Sequence, residues 1–131
     1  LLKNANLAVN ELNIDIPDTN LVVVENTHSV HNVIVCTLCS CYPRNLLGLP
    51  PDWYKSKAYR SRVVREPRAV LREFGTEFSN EIEIRVHDST ADMRYLVLPQ
   101  RPLETDHMDL DHLTKLISRD CMIGVTLPKL P

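Results

Sequence analysis

The sequence lacks both a long apolar run and an excess of charge of either sign. No apolar segment of the 131 residues approaches the length needed to cross a bilayer. Lys plus Arg number 15 and Asp plus Glu number 17, for a net charge of -2. Neither nucleic acid nor an anionic membrane is therefore expected as a partner. Hydrophobic residues at 44% and charged residues at 24% exclude a disordered class, so one globular domain with one core is predicted for residues 1–131.

The sequence also lacks a secretory signal and a cysteine pattern suited to disulfides. It begins at Leu1, and no apolar core with a small-residue cleavage site is found. There are only four cysteines, and three of them, Cys36, Cys39 and Cys41, lie within six residues. Neighbouring cysteines this close cannot join distant segments. A reducing cytoplasm, with these cysteines used for metal binding or catalysis, is therefore predicted.

The order of apolar runs and breaking residues predicts an α/β fold. A few helical turns and a connector containing Pro17 precede two β-branched strands, "LVVVEN" and "HNVIVC". The proline-rich segment "YPRNLLGLPPD" is expected to be an irregular loop. A helix over Trp53–Val64 and a second helix from Pro67 to Gly75 should follow. The strands "EIEIRVHDS" and "MRYLVLP", a short helix starting near Asp109, and a last strand in "CMIGVTLP" complete the prediction.

Cys36, Cys39 and Cys41, which we call the cysteine cluster, lie at the end of the second predicted strand. Three thiolates on one tight turn can converge on a single ion. A structural zinc site would need a fourth ligand from Cys121, His28 or His31, and none of these forms a second ligand pair. An iron–sulfur cluster also needs four cysteines in a set spacing. A redox pair fits the C-x-x-C spacing but lacks the strand-to-helix context that such pairs prefer.

The compactness of the cysteine cluster points to a further kind of site. If the three sulfurs bind one ion, the backbone nitrogens of Ser40 and Cys41 lie inside the same turn. Deprotonated peptide nitrogens are ligands only for a strongly polarising ion, so such a site suits a trivalent transition metal with one open position. An open position indicates catalysis.

Four longer segments resemble a known family. "VCTLCSC", "LGLPPDWYKSKAYRSRVVREPRAVL", "EIRVHDSTADMRYLVLPQRP" and "RDCMIGV" closely resemble the metal-carrying alpha subunit of nitrile hydratase and its homologue, the gamma subunit of thiocyanate hydrolase. The likeness runs from about Leu21 to Pro128. It implies a layered α-β-β-α domain with the metal claw, residues 36–41, on a loop after a strand. Residues 1–20 are then a remnant of an N-terminal helical arm, which is largely absent, and its connector.

The resemblance also implies a metal and a partner. It implies one cobalt(III) or iron(III) ion held by the three sulfurs and by the backbone nitrogens of Ser40 and Cys41, with Cys39 oxidised to sulfinic acid and Cys41 to sulfenic acid. Metal-bound thiolates are susceptible to such oxidation. Thr37 resembles the cobalt-type motif. A beta-type subunit should supply arginines to the oxidised sulfurs, forming a heterodimer or higher heteromer, so this chain is expected to be inactive alone.

The implied reaction is hydration of a nitrile to an amide. The metal acts as a Lewis acid or delivers a hydroxide, and the Cys41 sulfenate is the expected nucleophile or base. The alternative is hydrolysis of thiocyanate to ammonia and carbonyl sulfide, and an alternative of another class is a non-catalytic, zinc-stabilised interaction subunit. Nitrile hydratases usually follow the claw with Trp-Pro, whereas this chain has Arg44 and Asn45. A guanidinium beside the metal would attract an anion such as thiocyanate.

Five further residues receive expected roles. Asp18 lies near the position of a family glutamine and is a candidate substrate-binding residue, with a turn aspartate as the alternative. Arg94 matches a family arginine near the claw and is expected to hold its backbone. Trp53 and Tyr54 are expected to pack the loop. Cys121 is predicted to be a buried core thiol.

Overall fold

The computed structural model describes residues 1–17 and 19–129, and it confirms the predicted mixed α/β fold. Helices and strands follow one another in the order α1 (Ala5–Asn10), β1 (Asn20–Glu25), β2 (Val30–Val35), α2 (Arg44–Leu47), α3 (Asp52–Lys55), α4 (Lys57–Arg65), α5 (Pro67–Glu73), β3 (Glu83–Asp88), β4 (Met93–Leu98), α6 (Leu110–Thr114) and α7 (Arg119–Ile123). None of these helices is long and apolar enough to span a membrane, within the residues that the structure describes.

The strands form two parallel pairs, β1 with β4 and β2 with β3. In the second pair Val35 lies opposite Asp88, the last residue of each strand. Parallel pairing requires a crossover between the paired strands, and here the segment containing α2 to α5 provides it. Because parallel strands end at the same edge, the residues after Val35 and the side chain of Asp88 are brought together. That edge is where the cysteine cluster begins.

Two groups of buried side chains stabilise this arrangement. The larger joins β2, β4 and α7 to the helices of the crossover, and its members are Val33, Ile34, Val35, Tyr42, Tyr54, Tyr59, Val63, Val70, Leu71, Val97, Ile123 and Val125. The smaller packs α1 against β1 through Ala5, Val9, Leu21 and Val23. The α1–β1 contact is reinforced by Asn6, whose side chain donates to the Thr19 carbonyl and accepts from the Leu21 amide. The claw is therefore attached to the larger core, with the α1–β1 unit beside it.

The prediction of an irregular loop after the claw was wrong for its first part. Residues Arg44–Leu47 form a helical turn, α2, between Pro43 and Gly48. Proline is tolerated before the first turn of a helix, where no intrahelical hydrogen bond is lost. Gly48 ends the turn with a φ of 76°, a conformation that glycine adopts readily. The prolines after the claw therefore bound a short helix and do not abolish it.

The predicted helix over Trp53–Val64 is two helices. Ser56 has a ψ of 145°, outside the helical range, and its hydroxyl accepts from the Tyr59 amide, so it ends α3 and caps α4. The predicted last strand was also wrong, because residues Arg119–Ile123 form α7. Ser118 caps this helix by accepting from the Cys121 amide. In both places a serine cap outweighed the pattern of apolar residues.

Candidate metal centre

The cysteine cluster forms one compact group of sulfur atoms. The Cys36 and Cys39 sulfurs are 3.4 Å apart, and the Cys39 and Cys41 sulfurs are 2.9 Å apart. All three sulfurs lie within 4.8 Å of one another. Cys36 and Cys41 are buried, whereas Cys39 is exposed at the surface. Cys36 directly follows β2, so the strand delivers the first sulfur and the turn folds the other two back onto it.

A backbone amide also faces these sulfurs. The Cys39 N–H donates to the Cys36 sulfur at a nitrogen–sulfur distance of 3.4 Å. The pKa of Cys39 is lowered, mainly by hydrogen bonds from Cys41 and Cys36 and further by the N–H groups of Ser40 and Cys41. Burial raises the pKa of Cys41. The thiolate form is therefore favoured at the exposed Cys39 over the buried Cys41.

Three side chains from different elements hold the claw. Asp88, at the end of β3, accepts from the Thr37 amide at 2.8 Å and from the Thr37 hydroxyl at 2.6 Å. The buried Tyr54 hydroxyl of α3 donates to the Cys41 carbonyl at 2.8 Å. Arg60 of α4 donates from Nη1 to the Cys39 carbonyl at 3.2 Å. The claw is thus attached along its length, at its start, its apex and its end.

Two of the three sulfur separations are close to the value expected for ligands at right angles on a single ion. For a metal–sulfur bond of about 2.3 Å, two sulfurs are about 3.8 Å apart at tetrahedral angles and about 3.3 Å apart at right angles. The separations of 3.4 and 2.9 Å are closer to the second value. Together with the peptide nitrogens of Ser40 and Cys41, which lie in the same turn, these residues contain five potential donor atoms. Such a set suits an octahedral ion with one position left for another ligand.

A structural zinc site would need a fourth ligand, and the predicted candidates do not provide it. Among residues 1–17 and 19–129 the group of potential metal ligands at this site consists of Cys36, Cys39 and Cys41 alone. His31 is buried and donates from Nε2 to the Gly124 carbonyl at 2.6 Å. Cys121 is buried and its sulfur accepts from the Ser118 hydroxyl. Cys121 is the buried thiol that the sequence predicted, although it lies in a helix.

Arg44 and Arg94 line one cleft next to the end of the claw. The cleft has a volume of about 210 Å³, and one of its lining residues, Tyr42, directly follows Cys41 in the sequence. Its lining residues are Ile16, Pro17, Thr19, Leu21, Tyr42, Pro43, Arg44, Asn45 and Arg94. Within the described residues no cysteine of the cluster lines it. The charge of Arg94 lowers the pKa of Cys41, although burial outweighs this effect. No hydrogen bond from Arg94 to the claw is present in the described part of the chain, so its expected role as a backbone support is not seen.

Two other expectations have different outcomes. Tyr54 does pack the loop, since its hydroxyl donates to the Cys41 carbonyl. The Trp53 ring instead lies edge-on to Tyr59 at 4.9 Å and to Phe74 at 4.7 Å between centroids, among the crossover helices. Asp18 lies outside the residues that the structure describes.

The contribution of Arg60 was not predicted from the sequence. Its partner is 21 residues away along the chain, and no local pattern marks a contact made only by tertiary packing.

Comparisons with known proteins agree with this geometry. The family model described as "Nitrile hydratase, alpha chain" matches residues 1–126. The low-molecular-weight cobalt-containing nitrile hydratase subunit alpha of Rhodococcus rhodochrous is 51% identical over 132 residues, which cover 100% of this chain and 64% of that protein. Thiocyanate hydrolase subunit gamma of Thiobacillus thioparus is 51% identical over 110 residues, covering 84% of this chain and 45% of that protein. The chain thus spans less than two thirds of the length of these relatives.

Solved structures give the same result. The Fe-type nitrile hydratase of Comamonas testosteroni Ni1, as a double mutant, matches with a TM-score of 0.94 and 45% identity, covering 100% of this chain and 65% of that chain. A recombinant thiocyanate hydrolase with partially modified cobalt centres matches with a TM-score of 0.92 and 41% identity, covering 98% of this chain and 64% of that chain. The match over residues 1–126 and the fold around the cysteine cluster lead to one conclusion: this chain belongs to the nitrile hydratase alpha-chain family.

Proposed function

We propose that this chain is the metal-carrying subunit of a nitrile hydratase-type enzyme that hydrates a nitrile to an amide. One observation carries the proposal: the sulfurs of Cys36, Cys39 and Cys41 lie within 4.8 Å of one another on one turn. The metal is cobalt(III), with iron(III) as the alternative, and it is held by Cys36, Cys39, Ser40 and Cys41. When bound, it acts as a Lewis acid or lowers the pKa of a bound water.

The chain's own residues define how that centre is completed. Cys39 is oxidised to sulfinic acid and Cys41 to sulfenic acid, and Cys41 is the nucleophile or base. The exposure of Cys39 and its lowered pKa support early oxidation of that sulfur, because thiolate character and access control this reaction. Anionic sulfur oxygens need cationic partners, and a beta-type subunit supplies arginines to them in a heterodimer or higher heteromer. Residues 1–131 form a single metal-binding domain of that assembly, in a reducing cytoplasm.

A second candidate function is hydrolysis of thiocyanate. It is supported by the cleft beside the claw, where Arg44 and Arg94 both line one space of about 210 Å³. Two positive charges in one cleft favour an anion over a neutral nitrile. The relative from Thiobacillus thioparus, named as a thiocyanate hydrolase subunit, gives the same direction. Arg44 is then the residue that admits the anion, and Asp18 remains a candidate for substrate binding.

The first test is metal analysis and mass spectrometry of the complex purified with its partner subunit. Cobalt or iron at one ion per chain is expected, with two added oxygens on Cys39 and one on Cys41. Zinc with unmodified cysteines would instead support the non-catalytic interaction subunit and contradict the enzyme proposal.

The second test separates the substrates. The metal-loaded complex is assayed on simple nitriles and on thiocyanate, together with Arg44→Trp and with Arg72→Trp as a control on the exposed face of α5. Nitrile turnover that survives Arg44→Trp supports the primary proposal. A loss of thiocyanate turnover by about tenfold or more, seen in Arg44→Trp and not in Arg72→Trp, supports the second. A loaded complex without turnover of either substrate contradicts both.

A further inference from the structure

Arg60 makes one side-chain hydrogen bond within the described part of the chain, and that bond goes to the claw. Nη1 donates to the Cys39 carbonyl oxygen at 3.2 Å. The helix that carries Arg60 is rigidly placed, because Ser56 caps its first turn and the hydroxyl of the buried Tyr59 donates to the Ile34 carbonyl of β2 at 2.7 Å. The strand that delivers Cys36 and the helix that delivers Arg60 are therefore coupled directly.

The bonded carbonyl belongs to the same peptide group as the nitrogen of Ser40. A trans peptide is planar, and its C=O and N–H bonds point in opposite directions. A donor that holds the Cys39 carbonyl on the outer side of the turn therefore directs the Ser40 N–H inward. The Cys39–Ser40 peptide is trans, so this relation between the bonded carbonyl and the Ser40 N–H applies to it.

The turn needs such a restraint, because its apex is open to solvent. Leu38, Cys39 and Ser40 are all exposed. Burial therefore does not fix the Cys39–Ser40 peptide plane, and within the described residues no other side chain binds its oxygen. A hydrogen bond from a charged donor is about twice as strong as one between neutral groups. An exposed peptide without such a bond would exchange between orientations. Arg60 is placed to hold the Cys39–Ser40 peptide in one of them.

We propose that Arg60 is a positioning residue of the metal centre, which holds the Cys39–Ser40 peptide so that the Ser40 nitrogen faces the three sulfurs before a metal binds. The proposal rests on the proposed function, since it assumes that this nitrogen is a metal ligand. It makes a prediction that the proposed function does not make. A metal centre without Arg60 still has all of its ligands, but the Ser40 nitrogen is not oriented before the metal binds. Loss of such an outer support lowers metal affinity by about 10- to 100-fold in other metal sites.

The test uses the complex of the full chain with its partner subunit, produced in medium containing cobalt. Three quantities are measured: cobalt per chain, the half-time of cobalt loss to EDTA, and the position of the sulfur-to-cobalt absorption band. Arg60→Gln removes the guanidinium, and Arg60→Met removes the donor while keeping an apolar stem of similar length. Arg65→Gln is the matched control, because Arg65 lies on the same helix, is exposed, and binds the Ser61 carbonyl from Nε instead of the claw.

Both Arg60 variants are expected to lose cobalt about tenfold faster than the parent or more, with a shifted absorption band. Arg65→Gln should keep the parent half-time and band. Thermal unfolding of each metal-free complex shows whether a variant is folded at the assay temperature. If Arg60→Gln is unfolded at that temperature, the comparison is made with Arg60→Met. A parent-like half-time and band in the folded Arg60 variant overturns the inference and leaves the proposed function intact. A parent complex that takes up neither cobalt nor iron overturns both.

Discussion

At the scale of single residues, the three cysteines of the claw differ because their surroundings differ. Cys36 and Cys41 are buried, and burial raises the pKa of Cys41. Cys39 is exposed and receives hydrogen bonds from both neighbouring sulfurs and from two backbone amides, so its pKa is lowered. Three residues of the same type within one turn thereby acquire different reactivity. The difference supports the proposal that the sulfurs reach different oxidation states.

Tyr54→Phe tests how much the support of the claw contributes to stability. The substitution leaves the buried Cys41 carbonyl without the donor that now lies at 2.8 Å. An unsatisfied buried acceptor costs about 1–3 kcal/mol, so the free energy of unfolding in urea should fall by that amount. Tyr95→Phe is the control and should change it by less than about 0.5 kcal/mol, as is usual away from buried polar contacts. An unfolding free energy equal to the parent value in Tyr54→Phe would show that water replaces the hydroxyl.

At the scale of elements, the helices are short, and their ends are determined by single residues. Ser56, Asp109 and Ser118 each accept a backbone N–H from the residue three positions later, which begins α4, α6 and α7. Gly124 ends α7 with a φ of 98° and lies against β2. An added Cβ there would lie 2.1 Å from the Asn32 carbonyl oxygen and 2.8 Å from the Val33 Cα. The close approach of α7 to β2 therefore requires glycine.

Gly124→Ala should be strongly destabilising. Strain in the left-handed conformation and overpacking against β2 together cost about 2–5 kcal/mol. Gly75→Ala is the control, because Gly75 also has a positive φ but an added Cβ would have no atom within 4 Å; it should cost only about 1–2 kcal/mol. Both values are measured by urea unfolding. Equal losses in the two variants would mean that the contact with β2 adjusts freely.

At the scale of the whole molecule, a buried and a half-buried histidine connect β2 to the elements on either side of it. His31 Nε2 donates to the Gly124 carbonyl at 2.6 Å, and His87 Nε2 of β3 donates to Asn32 Oδ1 at 2.7 Å. Burial lowers the pKa of both rings, and the nearby Arg85 lowers the pKa of His87 further. Both histidines are therefore neutral in the folded protein at a pH where the unfolded chain begins to protonate.

The sign of the resulting pH dependence follows from these lowered pKa values. An unfolded histidine with a pKa of 6.5 binds a proton that the folded ring resists, so stability is full above that pH and is lost as the pH falls through it. The free energy of unfolding should decrease between about pH 7.5 and about pH 5.5. His87→Gln should flatten this dependence in part, and replacement of the exposed His28 by Gln is the control. A pH profile that is the same in both variants would contradict the assignment to His87.

The sequence predicted the claw but not the side chains that hold it. The cysteine spacing and the β-branched run before it placed three sulfurs on a turn after a strand, because strand and turn signals are local. Arg60 and Asp88 contact the claw from 21 and 51 residues away. Such contacts depend on how a crossover packs, and no local pattern encodes that. The helix α7 was missed for a different reason: its serine cap is a weaker signal than the apolar run that follows.

By itself, the sequence determined which sulfurs lie together and to which family the chain belongs. Three cysteines in six residues place three sulfurs and the peptide groups between them on one turn, whatever the surrounding fold. Only the tertiary structure decided how those groups are presented and which other residues stay away from them. Parallel pairing of β2 with β3 brings Asp88 to the start of the claw, and the packing of α3 and α4 brings Tyr54 and Arg60 to its end and its apex. Orientation of a peptide plane is a property of packing, because an isolated turn exchanges between orientations and a supported one does not.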